Sequence, residues 1–255
     1  MRADQLLVER GLAASRSQAQ RLIAAGVQWR MPLHHWQRIE KNGALLPLDC
    51  ELQLLDGAEL EFVSRGGLKL AGALQTTKLS VQGLHCLDVG QSTGGFTDCL
   101  LQHGAAKVVG VDVGHGQLHA SLRDDARVVC IEKINARMLS KPDSPLQPHT
   151  PPSGFDFVVA DLSFISLTLV LPALTAVMKP QAQALLLVKP QFELQPADIG
   201  KGGLVKDAAL YAQVQQRLEL ACNELGLSVS NWLDSPLTGG DGNREFFIHV
   251  SRKFV

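Results

Sequence analysis

Leu84-His85-Cys86-Leu87-Asp88-Val89-Gly90-Gln91-Ser92-Thr93-Gly94-Gly95-Phe96-Thr97 runs from an apolar strand pattern straight into a glycine-rich turn and then a helix. Glycines at such a turn let the backbone come close to a bound nucleotide, as in doubly wound nucleotide folds. The spacing is G-x-x-x-G-G, not the G-x-G-x-x-G that seats a pyrophosphate on a helix end. Asp88 stands two residues before the first glycine. A carboxylate there would repel pyrophosphate but suits a sulfonium or an amino-acid ammonium. S-adenosylmethionine carries both groups. Asp112 ends the next apolar run, where an acid can accept hydrogen bonds from ribose hydroxyls, and Asn135 follows the third, within reach of an adenine ring.

Outward from this turn the chain alternates strand and helix patterns. Strands are expected at 84–89, 108–113, 128–131, 155–160 and 184–188, with helices at 94–104, 117–123, 167–178 and 207–225. Two more strands follow at 227–233 and 245–251. This alternation predicts an α/β domain whose parallel sheet carries helices on both faces. Residues 140–153, rich in Pro, Ser and His, read as a surface loop, and 193–206, with Gly200, Gly202 and Gly203, as a mobile loop that orders on substrate binding.

In open α/β sheets ligands bind outside the carboxyl ends of the strands. Asp161 ends one expected strand and Lys189 another, and Glu245 begins the last. If the final two strands form an antiparallel hairpin, all three share one rim, which Lys69 must fold back to reach. Two lysines and two acids beside a methyl donor fit proton removal from a sugar hydroxyl. A hydroxyl is a poor nucleophile until it is positioned and relieved of its proton. A lysine, with an ordinary pKa of about 10.4, becomes a base when burial and a second cation favour its neutral form. We read Lys189 as the base, Asp161 as its orienting partner, and Lys69 and Glu245 as groups that hold the hydroxyl. Methylation of a base amine is disfavoured: Asp161-Leu162-Ser163-Phe164 stands where an Asp/Asn-Pro-Pro-aromatic element is expected. His115 and His119 lack companions that would complete a metal site, so no metal is expected.

The 255 residues carry a net charge of −1 and are 45% hydrophobic, enough for one good-sized domain and a small one. Residues 1–48 hold seven cations against three acids, a local +4. Two short helices are expected in residues 1–26: Asp4 caps the first and Gly11 ends it, while Ser15 and Gln18 form a capping box for the second and Gly26 ends that one. Strands at 51–55 and 59–63 are expected around an Asp56-Gly57 turn. Five cysteines form no C-x-x-C pair, and Cys86 and Cys130 read as inert core thiols. The chain opens without an export signal and has no apolar run long enough to span a bilayer. A cytoplasmic protein is expected.

The runs at 88–97, Val111-Asp112-Val113-Gly114-His115-Gly116-Gln117-Leu118, Val159-Ala160-Asp161-Leu162-Ser163-Phe164-Ile165-Ser166 and Val188-Lys189-Pro190-Gln191-Phe192-Glu193 closely resemble the TlyA (haemolysin A) family of FtsJ-like ribose 2′-O-methyltransferases. The resemblance covers nearly the whole chain. It implies a Rossmann-like class I methyltransferase domain with a mostly parallel seven-stranded sheet at 83–255. It also implies a small α+β RNA-binding domain of the αL type at 1–63 and a linker at 64–82 carrying Lys69. The family's Lys-Asp-Lys-Glu tetrad falls on Lys69, Asp161, Lys189 and Glu245. The donor would be S-adenosylmethionine, held by Asp88, Gly90, Ser92, Thr93, Gly94, Gly95, Phe96, Asp112, Val113, Asn135 and Asp161. The substrate implied is ribosomal RNA, free or in ribosomal subunits, methylated at cytidine, with Arg10, Arg16, Arg21 and Arg65 as RNA contacts and a monomer as the working form.

Two departures stand out. Gln28-Trp29-Arg30-Met31-Pro32 replaces the short turn usual in the small domain, and Gln91, expected to point outward, occupies a small-residue position. The family name also raises a membrane-active cytolysin, and a third reading is a non-catalytic ribosome assembly factor. The missing export signal, spanning segment and basic amphipathic helix speak against the first, and the intact tetrad against the second.

Overall fold

The computed structural model describes residues 1–13, 15–54, 61–240 and 242–253. The chain divides into two compact units, Met1–Arg65 and Gly66–Val255.

In the first unit, helix α1 (Ala3–Glu9) and helix α2 (Arg16–Gly26) precede a small sheet of β1 (Val27–Arg30), β2 (Gln37–Arg38) and β3 (Glu51–Leu54), ordered β2-β1-β3 and antiparallel throughout. Leu6, Leu7, Leu22, Ile23 and Val27 form its core. Ser15 caps α2 by accepting from the Gln18 amide at 3.2 Å, as the sequence suggests. Asp4 does not cap α1. It lies inside that helix, fully buried, and accepts from Arg2, Arg16 and Gln20. Two guanidiniums hold its carboxyl well below the usual range, since a buried charge persists only when paired. The Asp56-Gly57 turn lies outside the described residues, and Phe62 and Val63 form a bend where a second strand was expected.

Helix α3 (Arg65–Thr77) lies in the second unit from Gly66 onward. The stretch read as a linker is therefore largely helical and belongs to this unit. Gly72 serves packing: a Cβ there would lie 2.8 Å from Pro236 Cγ. Seven strands follow: β4 (His85–Val89), β5 (Lys107–Val111), β6 (Val128–Ile131), β7 (Phe155–Ala160), β8 (Met178–Val188), β9 (Leu227–Asp234) and β10 (Phe246–Arg252). Their order is β6-β5-β4-β7-β8-β10-β9. The first five are mutually parallel, while β10 runs antiparallel to both β8 and β9. The helices are α4 (Gly95–Gln102), α5 (Ala120–Arg123), α6 (Leu171–Val177), α7 (Pro190–Glu193) and α8 (Leu210–Glu224). Leu87, Val109, Val158, Leu186 and Ile248 contribute to the core. Apolar runs in β4, β5, β7 and β8 match a sheet covered on both faces.

The strand order reverses at β4, which has β5 on one side and β7 on the other. That switch point is where an open α/β sheet forms a crevice. The register fixes the rest of the rim. Phe246 pairs with Val188, so the next residues outward, Glu245 and Lys189, meet at the sheet's end. Val89 pairs with Ala160, which sets Gly90 beside Asp161.

Within residues 193–206, Ile199 bridges Val205, and the buried Asn243 side chain accepts from the Val205 amide (3.0 Å) and donates to the Gly203 carbonyl (2.9 Å). Cys130 is exposed, whereas Cys86 is buried and its thiol is pushed up to about 12 by that burial. The loop at 140–153 is mostly exposed, as expected, and buries Ser144 and Leu146.

Candidate active site

The turn after β4 leads into α4 through Gly94, whose left-handed backbone (φ +94°) and bare Cα face Leu122, with a built Cβ only 2.3 Å from Leu122 Cδ1. Gly90 (φ +88°) does comparable work on the other side, where a Cβ would sit 2.3 Å from the Asp161 carbonyl oxygen. The loop is thus pressed against the β7 end and leaves a cavity of about 470 Å³ at the switch point.

Val89, Gly90, Ser92, Asp112, Val113, Asn135 and Asp161 line this cavity. The two acids that face it stand apart along its wall. Asp112 accepts from the Ser92 amide (2.8 Å) and the Gly114 amide (2.7 Å). A carboxylate has about four acceptor sites, so Asp112 retains capacity for a ligand hydroxyl. Asn135 is exposed and caps the following turn by accepting from the Arg137 amide at 3.0 Å.

Asp88, Thr93, Gly94, Gly95 and Phe96 do not line the cavity. Asp88 lies beneath the loop, fully buried, where Oδ2 accepts from Thr97 Oγ1 at 2.7 Å and Oδ1 has no partner. Burial pushes its carboxyl up to about 7, against the Thr97 hydrogen bond. Phe96 is buried and stacks on Phe247, centroids 6.1 Å apart. Gln91 does not point outward: it is buried and donates to Thr97 Oγ1 at 2.9 Å. It lies over Gly110, where a Cβ would be 1.9 Å from Gln91 Nε2. A glycine inside a strand signals such a close approach, and Gly110 was the readable sign.

The buried Asp88 has a consequence for stability. Unfolded, its carboxyl ionises near 3.8; folded, only near about 7. The folded state keeps the proton longer, so this group's contribution is full below about pH 4 and is lost as pH rises through about 7. Asp88→Asn should abolish that fall, with a gap to wild type of order 3 kcal/mol opening between about pH 5 and about pH 8. Urea unfolding at the two pH values measures it; parallel pH responses would show that Asp88 is ionised in its pocket.

Other cavity residues escaped the sequence reading, notably Gln117, Leu162 and Ile165. Gln117 accepts from Ser92 Oγ at 3.1 Å, and a Cβ on Gly114 would sit 2.1 Å from its Nε2. Here too a glycine marks the packed side chain.

The four candidate catalytic residues converge beside the cavity as two ion pairs. Lys69, carried on α3, meets Glu245 at 2.5 Å; they are 8% and 4% exposed. Lys189 meets Asp161 at 2.5 Å and donates to Ser163 Oγ at 3.0 Å. Burial raises the Glu245 carboxyl, opposed first by Lys69 and then by Lys189, with Asp161 adding repulsion. Glu245 thus lies in the field of the other three. Phe164 stands at the cavity mouth, 90% exposed, in a left-handed conformation (φ +64°), its ring 5.0 Å from that of Phe192. A bulky exposed residue at positive φ is uncommon.

The predicted RNA contacts divide. Arg10 donates to the Leu48 and Cys50 carbonyls. Arg16 pairs with Asp4 at 3.0 Å while its side chain stays largely exposed. Arg21 and Arg65 are both half-buried. His119 caps α5 by accepting from the Ser121 amide. Among the described residues no helix is long and apolar enough to cross a membrane.

Known proteins align with this architecture over most of its length. The chain is 44% identical over 252 residues to the 16S/23S rRNA (cytidine-2′-O)-methyltransferase TlyA of Mycobacterium tuberculosis, covering 97% of this chain and 88% of that one. It is 36% identical to hemolysin A of Brachyspira hyodysenteriae, covering 98% and 99%. A solved protein of Streptococcus thermophilus superposes with a TM-score of 0.75 at 38% identity, covering 99% of this chain and 88% of that one. The model of the FtsJ-like methyltransferases matches residues 62–252. With the switch-point cavity and the rim of paired lysines and acids, these matches lead to one conclusion: the chain belongs to the FtsJ-like methyltransferase family.

Proposed function

We propose that this chain transfers a methyl group from S-adenosylmethionine to the ribose 2′-hydroxyl of a cytidine in ribosomal RNA, acting in the cytoplasm. The observation that carries the reading is the meeting of two lysine–carboxylate pairs at the rim of the switch-point cavity. The name of the M. tuberculosis relative supports cytidine and ribosomal RNA.

The cavity suits the donor. Its volume falls in the range of small-molecule sites. Val89, Val111 and Ile134 supply apolar wall, Asp112 has acceptor capacity left for ribose hydroxyls, and Asp161 offers an anion toward a cationic group. Gly90 keeps the wall open where any side chain would strike the Asp161 backbone. When bound, S-adenosylmethionine supplies an electrophilic methyl on a positively charged sulfur.

The protein's own groups do the rest. In its neutral form, after its own proton has passed to solvent, Lys189 Nζ takes the hydroxyl proton as the oxygen becomes a nucleophile, and Asp161, 2.5 Å away, fixes where that nitrogen points. The buried Lys69–Glu245 pair holds the sugar oxygen and keeps the rim's charge in balance. Positioning of this kind supplies much of a transfer reaction's acceleration. Phe164 offers an exposed ring on which the target base stacks, a contact worth about 1–3 kcal/mol per base. Residues 1–63 serve as the RNA-binding domain, with Arg16 and Arg21 as backbone contacts. Phosphate contacts position the RNA without reading its sequence.

Transfer of label from methyl-tritiated donor to separated ribosomal subunits and to naked ribosomal RNA tests the reading. Label in RNA supports it. RNA left unlabelled by folded, donor-binding protein contradicts it, and liposome leakage under the same conditions would favour the cytolysin reading. Phe164→Ala should raise the KM for RNA about tenfold or more and weaken donor binding by less, since Phe164 also lines the cavity; unchanged KM would remove the stacking role.

A further inference from the structure

Beneath the rim lies a buried carboxylate that no step above uses. Glu193 ends α7, four residues beyond Lys189, and is 4% exposed. Its Oε2 accepts from Ser166 Oγ at 2.6 Å and its Oε1 from the Leu167 amide at 2.7 Å. Arg217, on α8, donates to Oε2 at 3.0 Å and also to the Glu193 backbone carbonyl. Burial raises the carboxyl, and all three partners oppose that rise.

These bonds join two segments that the sheet alone does not hold at this distance from the strands. The β7–β8 ladder ends with Ala160 paired to Leu186. Beyond it the chain leaves β7 through Asp161, Ser163 and Phe164, and leaves β8 through Lys189 and Phe192. Three contacts that shape the rim here cross between the two segments: Lys189 to Asp161, Lys189 to Ser163, and Phe164 to Phe192. Glu193 closes the far end of the same loop by gripping Ser166 and Leu167. The segment 161–166 is thus fixed at both ends, by the ladder and by one carboxylate.

We propose that Glu193 is a positioning residue for methyl transfer: through Ser166 and Leu167 it sets the separation of Lys189 from Asp161 and the pose of Phe164, without touching donor or RNA. This rests on the methyl-transfer reading above. A carboxylate suits the task because it accepts an amide, a hydroxyl and a guanidinium together, and charge-assisted bonds are about twice as strong as neutral ones. Glutamine in its place keeps the shape, carries a donor where an acceptor is needed, and leaves Arg217 without its counter-charge.

The test compares wild type, Glu193→Gln and Ser166→Ala by three readings: donor affinity, kcat on RNA, and acetylation of Lys189 by acetic anhydride, followed by mass spectrometry with exposed Lys141 as internal reference. For Glu193→Gln, kcat should fall about 100-fold, as for an ångström-scale misplacement, and donor affinity should weaken by less than that, since residues 161–165 also line the cavity. Lys189 acetylation should rise several-fold as its pairing loosens. Ser166→Ala, which keeps the buried carboxylate and its arginine, should shift both readings the same way by less; it decides the matter if the glutamine variant does not fold. A lowered unfolding midpoint with kcat and Lys189 acetylation at wild-type levels in the folded protein would overturn the proposal and leave Glu193 a structural anchor. Should the wild-type chain methylate no RNA, the acetylation contrast alone judges the positioning role, and the methyl-transfer reading is what fails.

Discussion

Lys189→Ala should lose methyl transfer by about 10³-fold or more, the range for removing a general base, and bind the donor as the wild type does. The separation is expected because Lys189 does not line the cavity, whereas Asp161 does. Lys189→Arg sharpens the result. Arginine can keep the ion pair with Asp161 and the hydrogen bond to Ser163, but its guanidinium does not give up a proton in proteins. It should therefore be as inactive as alanine while matching wild type in thermal stability. An active arginine variant would mean that position 189 acts through charge alone and that the proton leaves by another route. Isothermal titration with donor and single-turnover kinetics on RNA measure the two halves.

Gly90→Ala should impair transfer by a different path, through donor binding. At φ +88° an L-residue is strained, at a cost of about 1–3 kcal/mol. Worse, the new methyl would lie 2.3 Å from the Asp161 carbonyl oxygen. That oxygen is backbone and cannot swing aside. Either the loop lifts, spoiling the cavity wall, or the end of β7 moves and takes Asp161 with it. We expect a Tm drop of about 5 °C and a donor affinity at least about 100-fold weaker, since an ångström of displacement suffices for that loss. Gly83→Ala is the control. Its φ is +74° and nothing lies within 4 Å of a built Cβ. It should lower Tm and leave donor binding intact. Equal donor affinity in both variants would show that the close contact at Gly90 is unimportant.

Much of this architecture could be read from the chain because period and punctuation agreed. Apolar runs at 84–89, 128–131 and 155–160 are strands within a residue of their expected bounds. The antiparallel hairpin of β9 and β10, needed to bring Glu245 to the rim, is present. Once Asp161 and Lys189 were read as strand ends, the sheet's topology gave their meeting.

What escaped the reading was set by tertiary packing. Residues 65–77 look like a linker because Gly66, Gly67 and Gly72 argue against a helix, yet Gly72 is there to let Pro236 approach. Asp4 carries the signature of a cap, but burial among Arg2, Arg16 and Gln20 gives it another task. Gln91 is polar and in a loop, so solvent was the natural expectation, and only Gly110 on the neighbouring strand reveals where its side chain lies. Asp88 shows the same limit. Its place in the motif suggests a ligand contact, while its depth beneath the loop makes it a support for Thr97, which in turn accepts from Gln91. The glycines at 200–203 gave no sign that the buried Asn243, from the far end of the chain, bonds to this segment.

The most direct test of the central claim is the position of the added methyl. RNA incubated with the chain and donor is digested to nucleosides and analysed by tandem mass spectrometry, which separates sugar from base. The account predicts a nucleoside whose sugar fragment is heavier by one methyl and whose base, cytosine, is unchanged. A methyl found on the base fragment would contradict it.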